Sequence, residues 1–308
     1  MGIKNFDIKL SYNDVTIEPA KFSLINHRCE CNPYVKNGML PIFTAPMTSV
    51  VNIENYSTFE KFGINAILPR NYSTSTRLEF ALSNKWTAFS LDEFKHLFCT
   101  KTDTIEEGRK AKVLIDMANG HLKSLYDCVK KAKENYSGKI EIMIGNIANP
   151  ETYILAAESG ADYVRCSIGT GDGCITQTNT GIGYPIVSLI DEISKIKKKL
   201  ENEGKYASLP KIIADGGIRN YCDVIKAIAV GADYVMIGGL LSKLFESASD
   251  CECHTSEGKK HFTWKEFSCN HKIVYENGEF YYNKKPMEVY KLFYGMASTL
   301  GQKDLHSK

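Results

Sequence analysis

The residue best suited to covalent chemistry is Cys174, set in a run of glycines and hydroxyl residues, "SIGTGDGCITQTNTGIGYP" (167–185). A thiolate is a soft, strong nucleophile, and a glycine-rich loop leaves it exposed and lets backbone dipoles favour its charged form. Cysteine is otherwise a small residue that is often buried, and the other nine of the ten cysteines take that reading. A second set comprises Asp116, Asn146, Asp215 and Gly238, each at or just past the end of a short apolar run: "KVLIDMANG" (112–120), "IEIMIGNIANP" (140–150), "PKIIADGG" (210–217) and "ADYVMIGGLLS" (232–242). Asp, Asn and Gly are ordinary turn formers, so their shared position carries the argument more than their identity. Two glycine pairs, "ADGGI" (214–218) and "IGGLLS" (237–242), allow close backbone approach to a ligand, the chemistry of a phosphate cradle made from N–H groups.

The elements that must position these residues repeat along the chain. Apolar runs at "PIFTAPM" (41–47), "GINAILPRN" (63–71) and "ADYVRCSIGTG" (161–171) join the four above as buried strands, and "WTAFSLD" (86–92) is a weaker eighth. Helical periodicity lies between them in "HLKSLYDCVKKAKENY" (121–136), "PETYILAAESG" (150–160) and "NYCDVIKAIAVG" (220–231). Eight strands alternating with helices predict an α/β fold, a TIM (β/α)8 barrel. An open Rossmann sheet has the same local rhythm, but in it the special residues could not all face one pocket. The chain reads as a single barrel domain, 1–308, with an insertion at about 250–290. Within the insertion, "HKIVYENGEFYYN" alternates around Asn-Gly, a hairpin signal. The same insertion holds Cys251, Cys253, His254, Cys269 and His271, enough ligands for a tetrahedral zinc site, though the spacings depart from the usual C-x₂-C pattern.

Composition excludes several classes. The 308 residues are 43% apolar and 24% charged with a formal net charge of +2, which gives no electrostatic case for nucleic acid or membrane partners. The Lys-rich run "DEISKIKKKLENEGK" reads as a solvated helix face. No apolar stretch reaches the ~18 residues of a membrane span, and the first residues lack the pattern of a secretion signal. Scattered cysteines imply reduced thiols, so the expectation is a cytoplasmic protein. Met1-Gly2 begins like a myristoylation site, but Phe6 stands where Ser or Thr is required.

A set of motifs then resembles the IMP dehydrogenase/GMP reductase family. These are "LSYNDVTIEP" (10–19), "PIFTAPM" (41–47), "DMANG" (116–120), "GNIANPE" (145–151), "GTGDGCITQ" (169–177), "GIGYP" (181–185), "IADGGI" (213–218), "VMIGGLLS" (235–242) and "FYGMAS" (293–298), in the family's order. The resemblance implies a TIM barrel in which Cys174 bonds to C2 of a purine mononucleotide while a nicotinamide cofactor exchanges hydride there. By position it implies Asp215 on the ribose hydroxyls, Gly217, Gly238 and Gly239 on the 5′-phosphate, Tyr294 closing that phosphate site and Met296 on the purine. Asp116 and Asn146 fall on the cofactor side, Thr176 matches a hydroxyl that moves protons, and the carbonyls of Gly169, Gly171 and Cys174 resemble a potassium site. His121 is a lesser catalytic candidate that reads better as a helix start, and Arg70 a candidate for an anionic ligand.

Only Tyr72 to Lys85 lie where many IMP dehydrogenases carry a regulatory insert, and "DMANGH", "GIGYP" and "FYGMAS" look like the reductase versions. The implied reaction is therefore reductive deamination of GMP to IMP with NADPH. NAD-dependent oxidation of IMP is one alternative, and a noncatalytic nucleotide-binding protein or one subunit of a split enzyme is another. Three features depart from the family. Asp172 stands where a phosphate-binding serine is usual; an ionised carboxylate cannot donate there and would repel a phosphate by about 1–4 kcal/mol at 4 Å. Gln177 replaces a common arginine. After "FYGMAS" the family's acid/base flap and last helix, whose general acid/base help is worth about 10²–10⁴-fold, are not found, so the sequence reads as a fragment, a split enzyme with a second chain supplying the flap, or a divergent protein with substitute groups. The resemblance otherwise implies a homotetramer.

Overall fold

The computed structural model describes residues 8–35, 37–100, 103–169, 176–256, 258–263, 266–267, 269–276 and 279–291. Its elements run β1 (Ile42–Thr44), α1 (Tyr56–Lys61), α2 (Thr74–Leu82), β2 (Thr87–Phe89), α3 (Leu91–Phe94), β3 (Ala111–Ile115), α4 (Lys123–Asn135), β4 (Ile140–Ile147), α5 (Thr152–Ser159) and β5 (Tyr163–Cys166). They continue through α6 (Thr176–Thr180), α7 (Ile186–Glu203), β6 (Lys211–Asp215), α8 (Tyr221–Val230), β7 (Tyr234–Ile237) and α9 (Gly239–Ser242). The first seven strands form one parallel sheet ordered β1-β7-β6-β5-β4-β3-β2.

The two ends of that sheet meet through residues 65–68. Phe43 bridges Asn65 and Leu68 bridges Thr87, both in parallel. On one side Thr44 N–H donates to Asn65 O at 2.9 Å and Asn65 N–H to Ile42 O at 3.0 Å; on the other, Leu68 N–H donates to Trp86 O at 3.0 Å and Ala88 N–H to Leu68 O at 2.9 Å. The "GINAILPRN" run thus supplies the eighth position and closes a TIM barrel, leaving β1 and β2 without an open edge there. "WTAFSLD", the weakest strand signal, contains β2, whose three residues are all buried.

Alternation along the strands separates two apolar layers. Phe43, Ile67, Trp86, Ala88, Leu114, Met143, Ile213 and Met236 fill the barrel, with the half-buried Tyr163 and Tyr234 packed against them. Their rings meet edge to face, Phe43 on Trp86 at 5.8 Å and Trp86 on Tyr163 at 5.2 Å between centroids. Intervening residues such as Val113, Ile142, Val164 and Val235 join the outer core, together with Leu125, Val129, Tyr153 and Ile190 of the surrounding helices. In the Lys-rich run of α7, Lys195, Lys198 and Lys199 lie on the solvated face as expected, whereas Ile193 and Leu200 pack inward.

The pentapeptide "GADYV" occurs twice, at 160–164 and 231–235, and does the same work each time. Asp162 accepts the Ile142 N–H at 2.6 Å and Lys133 Nζ at 2.5 Å; Asp233 accepts the Ile212 N–H at 2.7 Å and Lys197 Nζ at 2.7 Å. One carboxylate therefore ties the start of a strand to the preceding strand of the sheet and to the helix that leads into that preceding strand.

The insertion is larger than a hairpin. The expected pair around Asn-Gly is present as β10 (Ile273–Glu276) and β11 (Glu279–Tyr282), with Glu276 opposite Glu279. It belongs to an antiparallel sheet ordered β10-β11-β12-β8-β9, completed by β8 (Cys251–Thr255), β9 (Gly258–Phe262) and β12 (Lys285–Lys291). No helix among the described residues is long and apolar enough to cross a membrane.

Outside the barrel, Arg77 is 3% exposed and holds α2 to β2 and α3. Its guanidinium donates to Tyr72 O and Ala88 O, each at 2.9 Å, and pairs with Glu93. Arg77 pulls the Glu93 carboxyl down to about 2 from its ordinary 4.5. Because the folded pKa is the lower one, this contribution is complete above pH 4.5 and is lost as pH falls toward 2. Arg77→Met, which strands Glu93, is expected to cost about 3–5 kcal/mol in urea denaturation at pH 7, with the deficit shrinking as pH falls through that window. A loss below about 1 kcal/mol at pH 7 would show that the pair does not brace the fold.

Candidate active site

The carboxyl ends of β3 to β6 bring four polar side chains together at one mouth of the barrel. Tyr163 and Arg165 share the inward face of β5, so Arg165 sits above the apolar filling, 7% exposed. Its Nη1 donates to Asp116 Oδ1 at 2.7 Å, while Nε and Nη2 donate to Asp215 Oδ2 at 3.1 and 2.9 Å. Asn146 Nδ2 donates to the same Asp215 oxygen at 2.6 Å. Arg70, at the end of the 65–68 segment's run, pairs with Asp116 Oδ2 at 3.3 Å. Burial opposes the charge on Arg165, but Asp215 and Asp116 outweigh it and hold the guanidinium above its ordinary pKa.

Local backbone makes room for this. Gly145 lies beside Arg165 in the β4–β5 ladder with φ of 141°, and a Cβ there would come within 2.6 Å of the Arg165 Cβ and carbonyl oxygen. No larger residue fits. The loop after β3 is in turn stitched to the end of β4: Asn146 N–H donates to Met117 O and Gly120 N–H to Asn146 O, both at 2.8 Å.

His121 completes that seam. Its Nε2 accepts the Ala148 N–H at 3.1 Å, which leaves the proton on Nδ1, 3.1 Å from Thr152 Oγ1. The ring thereby joins the two loops, and α4 begins only at Lys123. Desolvation lowers its pKa from the ordinary 6.5, in keeping with a nitrogen that must stay unprotonated to accept.

The other expected site residues divide into two groups. Gly217 lies in the turn after β6, Gly238 caps the amino end of α9, and Gly239 opens that short helix. Gly169 ends the described part of the cysteine loop with φ of 80°; a Cβ there would strike the Gln177 Cβ at 2.3 Å, so Gln177 clamps the base of that loop. Cys174, Gly171, Asp172, Tyr294 and Met296 lie outside the described residues, as does the side chain of Thr176, the first residue of α6.

The zinc expectation gains no support. Cys251 and Cys253 are buried on one face of β8 with Phe267 and Met287, whereas Cys269 and His271 are exposed. His254 pairs with Glu252 at 2.7 Å. Among the described residues no three His, Cys, Asp or Glu groups are placed to hold a metal ion. Alternating strand parity explains this: i and i+2 cysteines share an inward face and act as small core residues.

Arg165 is the residue that sequence reading missed. Its signal was a charge in the middle of the apolar run "ADYVRCS", a position where a cation needs partners.

The chain matches the family model described as IMP dehydrogenase / GMP reductase domain over residues 9–285. Among curated relatives it is 30% identical over 316 residues to the GMP reductase of Citrobacter koseri, covering 95% of this chain and 77% of that protein. It is likewise 30% identical over 321 residues to the GMP reductase of Escherichia coli O157:H7, covering 96% and 78% respectively.

His121 gives this arrangement a pH signature. Its folded pKa is lowered, so the unfolded chain takes up a proton that the folded chain declines as pH falls through 6.5. The contribution is complete above 6.5 and is lost below it. His121→Gln is expected to flatten the dependence of Tm on pH between 7 and 5; an unchanged slope would show that the ring does not carry it.

Proposed function

The chain belongs to the IMP dehydrogenase/GMP reductase family, and from that premise we propose that this purine nucleotide oxidoreductase deaminates GMP reductively to IMP. The convergence of Asp116, Asn146, Asp215 and the Gly217 and Gly238 loops at one barrel mouth supports the reading. Two acceptor carboxylates suit two sets of ribose hydroxyls, because an ionised carboxylate takes short, charge-assisted hydrogen bonds.

In this proposal Asp215 holds the GMP ribose, and the N–H groups of Gly217, Gly238 and Gly239 hold its 5′-phosphate, with Tyr294 closing over them. Met296 packs on the purine. Asp116 and Asn146 face the cofactor, and Arg70, its side chain 38% exposed beside Asp116, supplies a cation for an anionic ligand. That pairing fits a dinucleotide, which carries both ribose hydroxyls and phosphates. The Cys174 thiolate forms a bond to C2 of the purine, and the exocyclic nitrogen leaves with a proton as ammonia. Thr176 helps to move that proton. When bound beside Asp116 and Asn146, NADPH would supply hydride to C2, and the Cys174 thiolate would be restored as its bond to C2 breaks. The carbonyls of Gly169, Gly171 and Cys174 would hold potassium.

The GMP reductase relatives favour this direction over NAD-dependent oxidation of IMP. With GMP and potassium, NADPH absorbance is expected to decay, and Cys174→Ala to slow the decay by at least about 10³-fold with the fold intact. Replacing potassium by sodium is expected to slow turnover. NAD reduction with IMP in place of NADPH oxidation with GMP would reverse the assignment. Full turnover by the alanine variant would remove Cys174 from the chemistry.

A further inference from the structure

We propose that Arg165 is a positioning residue shared by both halves of the mouth, fixing Asp215 on the nucleotide side and Asp116 on the cofactor side through one guanidinium. The inference rests on the functional reading above and adds to it a residue that acts through the two carboxylates.

Three observations carry it. The guanidinium divides its donors, Nη1 to Asp116 at 2.7 Å and the Nε–Nη2 edge to Asp215 at 3.1 and 2.9 Å. The two carboxylates belong to the ends of β3 and β6, which are not neighbours in the sheet, so no ladder hydrogen bond sets one against the other. Finally, each carboxylate is also held by another side chain, Asp116 by Arg70 and Asp215 Oδ2 by the Asn146 amide. The planar fork is essential, because a lysine ammonium is a single point charge on a flexible stem and reaches one carboxylate at a time in good geometry.

Equilibrium titration of GMP alone and of NADPH alone separates this role from ordinary packing. Arg165→Lys is expected to weaken both ligands, each by at least about 3-fold, the losses typical of charged hydrogen bonds put out of register. Asp116→Asn is expected to weaken NADPH and leave GMP within about 2-fold, since it spares the Arg165–Asp215 contact. A purely structural Arg165 would lower Tm in Arg165→Lys and leave both affinities at the wild-type level, and that result overturns the proposal. So does weakening of one ligand alone. If the lysine variant does not fold, Arg165→Gln, which keeps planar donors without the charge, is read in the same way. Absence of GMP and NADPH binding by the unaltered chain would instead overturn the functional reading, and with it the role assigned to Arg165.

Discussion

A buried cation needs matched anions, and the mouth of this barrel is arranged around that requirement. Arg165 rises from an interior filled by aromatic and aliphatic side chains and is met there by Asp116 and Asp215. Each charge that leaves water costs several kcal/mol, while a pair at about 4 Å returns only about 4 kcal/mol at an effective dielectric of 20. Net stability is a poor reason for such a triad. Geometry is a better one: the three groups hold each other in fixed orientation at the end where four successive strands deliver their loops. The closed ring is the condition for this. Without the 65–68 segment joining β1 to β2, the sheet would have two free edges and no common mouth.

Much of the scaffold was legible in the sequence because each strand announces itself as an apolar run stopped by turn residues. All eight runs coincide with barrel positions, including the weak "WTAFSLD" and the "GINAILPRN" run that makes only bridges rather than a continuous ladder. Helix limits were legible to within a few residues, since capping groups and the first turn read as helical before the hydrogen bonds begin. The insertion was legible only locally. Asn-Gly specifies the β10–β11 hairpin through its own turn chemistry, but the pairing of β12 with β8 joins residues some way apart in the chain, and no short pattern encodes it.

The site divides along the same line. Asp116, Asn146 and Asp215 could be placed at strand ends from the runs that precede them, but the interaction that joins them could not. Arg165 lies 49 residues from Asp116 and 50 from Asp215, and nothing local says which carboxylates it meets. His121 is similar: its position beside a helix start was evident, whereas its bridge to Ala148 crosses between two βα loops. In the insertion, strand parity places Cys251 and Cys253 together in a small apolar core with Phe267 and Met287.

The most direct test of the central claim is a crystal structure of the chain with GMP bound. The account predicts ribose hydroxyls donating to Asp215, the phosphate against the Gly217 and Gly238 loops, and purine C2 within about 3–3.5 Å of the Cys174 sulfur, as attack requires. A nucleotide bound away from the mouth, or one whose ribose does not contact Asp215, would contradict it.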